Sequence, residues 1–218
     1  MEQFGPDEFR TATGVSRETL ERLVTLVELT TEQNRTLNLV AASTVADVWH
    51  RHVYDSAQLA ALATGDIWLD IGSGAGFPGL VLAILGVGEV HLVERGARKA
   101  AFLGTAAQAT GARAVVHGCP VEEIRRSELG SGGADVVTAR AVARPDRILE
   151  LSAPLAARNA VWLLPAGRGA AAALTEAQKS WTLAAETLPS RTDPDSGILR
   201  LRMVARGRNR TSPRRKRS

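Results

Sequence analysis

The chain has 218 residues, 44% of them hydrophobic, enough to bury a substantial core as one main domain with an appendage. Its single cysteine, Cys119, excludes an intramolecular disulfide framework and any paired-cysteine metal or redox site. The net charge of +4 is uneven, because seven of the 27 basic side chains fall between Arg206 and Ser218, where no acid occurs, so the body is slightly acidic.

In chain order, the first sixty or so residues read as amphipathic helix. Leu20, Leu23, Val24 and Val27 recur at helical spacing behind Ser16 as a cap, and Val45, Val48, Trp49 and His52 repeat that spacing behind Ser43. Strands are expected at 67–71, 90–94, 114–117, 134–139, 160–164, and near 183–188 and 198–205. Helices are expected at 79–86, 98–110, 146–156 and 169–181. Strands separated by helices imply right-handed crossovers and a doubly wound, mostly parallel α/β sheet of seven strands. The last two strands have only a loop from Pro189 to Gly197 between them and should form an antiparallel hairpin. The organisation is a helical extension at 1–63, a ligand-binding α/β domain at 64–206 and a basic tail at 207–218.

The most informative stretch is Asp70-Ile71-Gly72-Ser73-Gly74-Ala75-Gly76, set between the apolar runs 67–69 and 80–85. A strand, a glycine turn and a helix start let a ligand lie against free main-chain N–H groups. The dinucleotide fingerprint wants a third glycine where Phe77 stands, which disfavours an NAD-dependent oxidoreductase. A triphosphate loop needs Gly-Lys-Ser/Thr, and no lysine precedes Lys99. What remains is acidic-x-Gly-x-Gly-x-Gly, the pattern of Rossmann-like class I methyltransferases that use S-adenosylmethionine. Asp70 is then the expected anchor on the ammonium side, through water or backbone. Glu94, at the end of the second strand and 22 residues beyond Gly72, is placed to grip ribose hydroxyls. Val121 and Glu122, after the third strand, could meet the adenine face and its amine. Arg140, after the fourth, is either a cation directed into the cleft or a strand-end salt bridge.

Missing elements narrow the chemistry further. Exocyclic-amine methylation usually calls for Asn/Asp-Pro-Pro-aromatic, where this chain has Ala139-Arg140-Ala141-Val142. Pyrimidine-carbon methylation commonly uses Pro-Cys, here reversed as Cys119-Pro120. Ribose methylation often relies on a lysine, and only Lys99, Lys179 and Lys216 exist. Guanine N7 already carries a lone pair, and methyl transfer to it needs alignment without a general base. The tail cations Arg206, Arg208, Arg210, Arg214, Arg215, Lys216 and Arg217, spaced by Gly, Asn, Ser and Pro, are expected to be disordered and to capture RNA phosphates.

Several motifs together resemble one family. Arg51-His52-Val53-Tyr54-Asp55-Ser56, then Asp70 to Gly79 with Phe77-Pro78-Gly79, Glu94 with Arg98-Lys99 and Phe102-Leu103, Val121-Glu122-Glu123, and Arg140-Ala141 are similar in order and spacing to the bacterial 16S ribosomal RNA guanine-N7 methyltransferases, the glucose-inhibited division protein B family. The likeness spans roughly Glu32 to Arg206. It implies S-adenosylmethionine-dependent methylation of N7 of guanine 527 in the small-subunit rRNA, with cofactor contacts at Gly72, Phe77, Val121, Glu122 and Arg140 beside Gly74 and Gly76. His52 and Asp55 would line the cleft or cap the helix onto the sheet. One departure concerns the substrate side: the family's Leu-Lys-Gly after the fifth strand is Leu164-Pro165-Ala166-Gly167-Arg168 here, so Arg168 would have to replace an ammonium it does not freely substitute for. Arg144 and Arg168 complete the expected RNA-binding set, and a cytoplasmic monomer acting on 16S rRNA or the small subunit is the implied setting. No run approaches the ~20 apolar residues of a membrane helix, and Met1 to Asp7 lack the features of a signal peptide. A methyltransferase for a small molecule or protein, and a non-catalytic RNA-binding protein on the same fold, remain open from sequence.

Overall fold

A computed structural model describes residues 4–206, with side chains described through Met203. Helices α1 (Pro6–Thr13) and α2 (Arg17–Leu37) lead into a 3₁₀ turn (Ala42–Asp47), a π-helical turn (Trp49–Tyr54), α3 (Asp55–Ala57) and a second 3₁₀ turn (Gln58–Ala61). Then follow β1 (Ile67–Ile71), α4 (Gly79–Leu85), β2 (Glu89–Val93), α5 (Ala97–Thr110), β3 (Ala114–His117), β4 (Ala134–Ala139), α6 (Pro145–Ser152), β5 (Ala156–Ala166), α7 (Ala170–Gln178), β6 (Trp181–Pro189) and β7 (Gly197–Arg206). The tail residues Arg208, Arg210, Arg214, Arg215, Lys216 and Arg217 lie outside the described residues, and Arg206 is described only as the backbone end of β7.

The seven strands are ordered β3-β2-β1-β4-β5-β7-β6. The first five run parallel, and β7 is antiparallel to both neighbours, forming the expected hairpin with β6. Strand order reverses between β1 and β4, and in such sheets ligands bind beyond the carboxyl ends of the strands at that point. Alternate residues of β1 enter opposite layers. Trp68 packs with α4 and α5, whereas Leu69 and Ile71 pack with α6 and β5.

The N-terminal helices share the first of these layers. Phe9, Leu23, Leu26 and Trp49 form one continuous core with Leu80, Leu82 and Leu103. Ser16 caps α2 by accepting from the Thr19 N–H at 3.1 Å. Arg22 donates to the carbonyl of Gly111 at 2.7 Å, and so fastens α2 to the open end of α5. Ser43, expected to cap a helix, instead lies inside the 3₁₀ turn that follows Ala41.

Two boundaries differ from expectation by four residues. The helix predicted to reach residue 156 ends at Ser152; Ala153 still donates to the Leu149 carbonyl, and Pro154, which has no N–H, cannot add the next helical bond. The fifth strand starts earlier than 160. Its pairing shifts from Ala134–Ala156 to Val136–Val161, and the inserted residues include exposed Arg158 and Asn159, which interrupt the apolar run.

Candidate active site

The chain leaves β1 into a turn in which Gly72, Gly74 and Gly76 all take positive φ, at 70°, 53° and 88°. Main-chain N–H groups of Gly72 and Ser73 donate to the Val93 carbonyl at 2.9 and 3.0 Å, pinning the turn to the end of β2. Glu94 closes it from the same side. One carboxylate oxygen accepts from the Gly74 N–H at 3.1 Å and the other from the Gly96 N–H at 2.7 Å. A carboxylate offers about four acceptor sites, so Glu94 can keep both bonds and still accept from a vicinal diol.

Gly74 is the open face of the cradle. A methyl group built there would meet nothing closer than the Gly72 carbonyl at 3.7 Å, so the space above it is free of protein and fits a ligand lying on the main chain. Gly79 is the opposite case. A methyl group there would fall 2.3 Å from Leu92 and 2.6 Å from the Asp70 carboxylate, so this glycine is what lets α4 start directly against the strands. Gly79 thus has the helix–strand packing role usual for the third glycine of such turns.

Asp70 sits beneath the turn, fully buried. Thr138 donates to one of its oxygens at 2.8 Å and the Gly79 N–H to the other at 3.2 Å. Burial raises its pKa to about 6, against the lowering effect of these hydrogen bonds. Its carboxylate is closed to any ligand, leaving only the indirect route: Asp70 ties β1, β4 and the start of α4 into one unit that shapes the turn.

Phe77 departs from expectation in the same way. Its ring is 4% exposed, stacked on His52 at 5.2 Å between centroids, with the Arg140 guanidinium 5.7 Å above it. The side chain packs against the latch that His52 and Arg140 form and has no free face for a cofactor. Val121 is buried in the 3₁₀ turn Val121–Glu123 that follows β3. The Glu122 carboxylate meets Arg147 on α6 at 3.0 Å in an exposed ion pair.

Arg140, at the carboxyl end of β4, resolves into the strand-end salt bridge, one of the two readings open from sequence. Its guanidinium donates to the Arg51 carbonyl at 3.1 Å, to Asp55 at 3.3 Å and to His52 Nδ1 at 2.9 Å. Because Nδ1 accepts, the proton of a neutral His52 lies on Nε2, which donates to the Thr44 hydroxyl at 2.9 Å. Burial, then the nearby Arg140 and Arg51, lower the His52 pKa to about 4. The other Asp55 oxygen accepts from Gln58 at 2.9 Å and from Thr192 at 2.7 Å. This network binds the helical extension to β4 and to the loop between β6 and β7, and it forms one wall of a cavity of about 500 Å³ that also touches Ala166 and Gly167. His52 and Asp55 are thus both cap and wall. Gln58, Thr138 and Thr192 are not evident from sequence, since their partners lie 68 to 137 residues away except for the local Gln58 contact.

The remaining basic residues expected to meet RNA are exposed. Arg144 pairs with Asp146 at 3.1 Å and Arg168 with Asp195 at 3.4 Å.

A family model described as rRNA small subunit methyltransferase G matches residues 19–193. The chain belongs to that family. Among its members, the Ribosomal RNA small subunit methyltransferase G of Rhodospirillum centenum is 50% identical over 204 residues, 93% of this chain and 92% of that one. The protein of the same name from Paramagnetospirillum magneticum is 46% identical over 206 residues, covering 94% and 98%. The fold of this methyltransferase G family member is similar to that of an S-adenosylmethionine-dependent methyltransferase from Aquifex aeolicus, at a TM-score of 0.55 and 14% identity over 80% of this chain and 98% of that one. It is also similar to an O-methyltransferase from Thermotoga maritima, at 0.51 and 17% over 71% and 66%.

Proposed function

We propose that this chain transfers the methyl group of S-adenosylmethionine to N7 of guanine 527 in the 16S rRNA of the small ribosomal subunit. The observation that carries the reading is family membership over nearly the whole chain, joined to a glycine turn that is open at Gly74 and closed by Glu94. When bound, the cofactor supplies an electrophilic methyl group on a sulfonium. Glu94 would hold its ribose hydroxyls, the main chain at Gly72 and Gly74 its methionine end, and Val121 one side of its adenine. Asp70 acts beneath them by keeping the turn in shape.

The residues of the cleft favour an acceptor that needs no deprotonation. His52 has both ring nitrogens engaged, Nδ1 by Arg140 and Nε2 with Thr44. Asp55 already accepts from Arg140, Gln58 and Thr192, and Asp70 is sealed. With these groups committed, the protein contributes by positioning and by fixed charge, which suffices for the lone pair of guanine N7. A cytoplasmic enzyme acting as a monomer is the setting this reading takes for a ribosomal substrate. No described helix is long and apolar enough to cross a membrane.

The test is methyl transfer from radiolabelled S-adenosylmethionine to small ribosomal subunits that lack the modification, compared with a protein-free metabolite extract and with total protein. Label is expected in the 16S rRNA of the subunits. Label in the extract or in protein instead would overturn the substrate assignment.

A further inference from the structure

Beyond the carboxyl ends of β4 and β5, the chain parts into two cavities of similar size. The cavity beside His52 and Arg140 is polar, and its functional groups already bond one another. The other, of about 540 Å³, lies between the loop that follows β4 and the first turns of α7. Its walls are small and apolar, among them Ala139, Ala143, Pro145, Ala166, Ala170 and Ala173. That volume falls within the ~300–1,000 Å³ of small-ligand sites.

Two features give this slot a direction. Ala141 takes a left-handed φ of 56°, rare for a residue with a Cβ, at the head of the loop. The next side chain, Val142, is 44% exposed and lies so close over the glycine turn that a methyl group on Gly72 would be 2.4 Å from its Cγ2. Val142 therefore stands between the cofactor turn and the slot, facing both. On the rim, Arg144 and Arg168 have side chains 71% and 86% exposed, each held by one carboxylate. Exposed pairs of this kind contribute only about 0–1 kcal/mol, so a phosphate can replace either partner.

We infer that this slot receives the target guanine unstacked from its RNA, with Val142 against the ring near the methyl donor and Arg144 and Arg168 on flanking phosphates. The inference rests on the proposed rRNA reading. A base cannot bring its ring to a recessed cofactor while stacked between neighbours, and enzymes that modify bases draw them into pockets lined by apolar surface. Alanine and proline walls leave room for a flat heterocycle, and cations on both sides of the opening match a nucleotide that enters with its backbone outside.

The test fills the slot with a side chain. In Ala173→Phe, kcat/KM for methylation of unmodified small subunits should fall about 100-fold, as expected when a reacting group is displaced by an ångström or more, while S-adenosylhomocysteine affinity by calorimetry stays within about twofold of wild type. Ala172→Phe, the same bulk one residue away on the exposed side, should remain at wild-type rate. If Ala173→Phe does not fold, Ala143→Phe fills the slot from the facing wall. In the double variant Arg144→Ala/Arg168→Ala, the slope of log RNA affinity against log salt should flatten by roughly 1.4, about 0.7 for each phosphate no longer neutralised. Wild-type kcat/KM in the filled variant would overturn the slot alone; no methyl transfer to subunits by the wild-type chain would overturn the substrate reading on which it rests.

Discussion

Arg140 and His52, 88 residues apart, meet at 2.9 Å with the guanidinium donating to Nδ1. This bond fixes the imidazole as the neutral Nε2–H tautomer and holds a strand-end cation against the helical extension, in the wall of the polar cavity. Removal of Arg140 thus affects the extension and the catalytic end of the sheet together.

The imidazole has a specific titration. Its pKa is lowered to about 4 from 6.5, by burial first and by Arg140 and Arg51 next. The unfolded chain therefore takes up a proton below pH 6.5 that the native chain refuses until about 4, so the contribution of His52 to stability is complete above 6.5 and is lost as pH falls through 4. An NMR titration of the His52 ring should show a midpoint near 4. In Arg140→Met the midpoint should rise only part of the way to 6.5, because burial, the larger cause, remains. A wild-type midpoint at 6.5 would contradict the latch.

Asp70 has the opposite sign. With a native pKa of about 6 against an ordinary 3.8, the folded carboxyl holds a proton between those values that the unfolded one has released. Its contribution to stability is greatest below pH 3.8 and declines as pH rises through 6, by on the order of 3 kcal/mol. In Asp70→Asn this decline should vanish from denaturant-unfolding curves taken between pH 4 and 7. A variant with the same pH slope as wild type would show that the carboxyl is ionised throughout.

Two glycines of the turn separate fold from ligand. Gly79→Ala drives a methyl group into Leu92 and Asp70 and should destabilise the protein by about 1–3 kcal/mol, read as a lowered Tm. At Gly74 an added Cβ meets nothing closer than the Gly72 carbonyl at 3.7 Å, so Gly74→Val should leave the fold largely intact while abolishing S-adenosylmethionine binding by calorimetry. Its positive φ adds backbone strain of about 1–2 kcal/mol. Full S-adenosylmethionine affinity in Gly74→Val, or no loss of Tm in Gly79→Ala, would contradict this division.

The fold is legible in the sequence because its signals are local. Apolar runs bounded by glycines place β1, β3 and β4 at the observed residues, and Ser16 marks the start of α2. Strand β5 is longer than its apolar run because its bulge exposes Arg158 and Asn159. The roles at the site are less legible. Asp70, Phe77 and Arg140 stand out by position, but whether each faces ligand or protein depends on Thr138, His52 and Asp55, partners that only the folded sheet and extension bring close. Gly79 shows in the motif without its purpose, because the Leu92 and Asp70 atoms against it come together only in three dimensions.

The basic tail should act on RNA and not on the cofactor. A cut after Arg206 preserves the last pair of β7 with Trp181, which a cut one residue earlier would remove. The shortened protein should bind RNA more weakly and with a flatter salt dependence, by about 0.7 in slope for each phosphate the tail would have neutralised, and should bind S-adenosylhomocysteine as before. An unchanged slope would assign RNA capture to the folded body.

The most direct measurement is borohydride and aniline cleavage of 16S rRNA, taken from small subunits incubated with the purified protein and S-adenosylmethionine, and mapped by primer extension. N7-methylguanine carries a cationic ring that makes the strand breakable under this treatment. A new stop at guanine 527, absent without the protein, is expected. An intact strand at that position, with an N2-methyl or ribose-methyl product in nuclease digests, would contradict it.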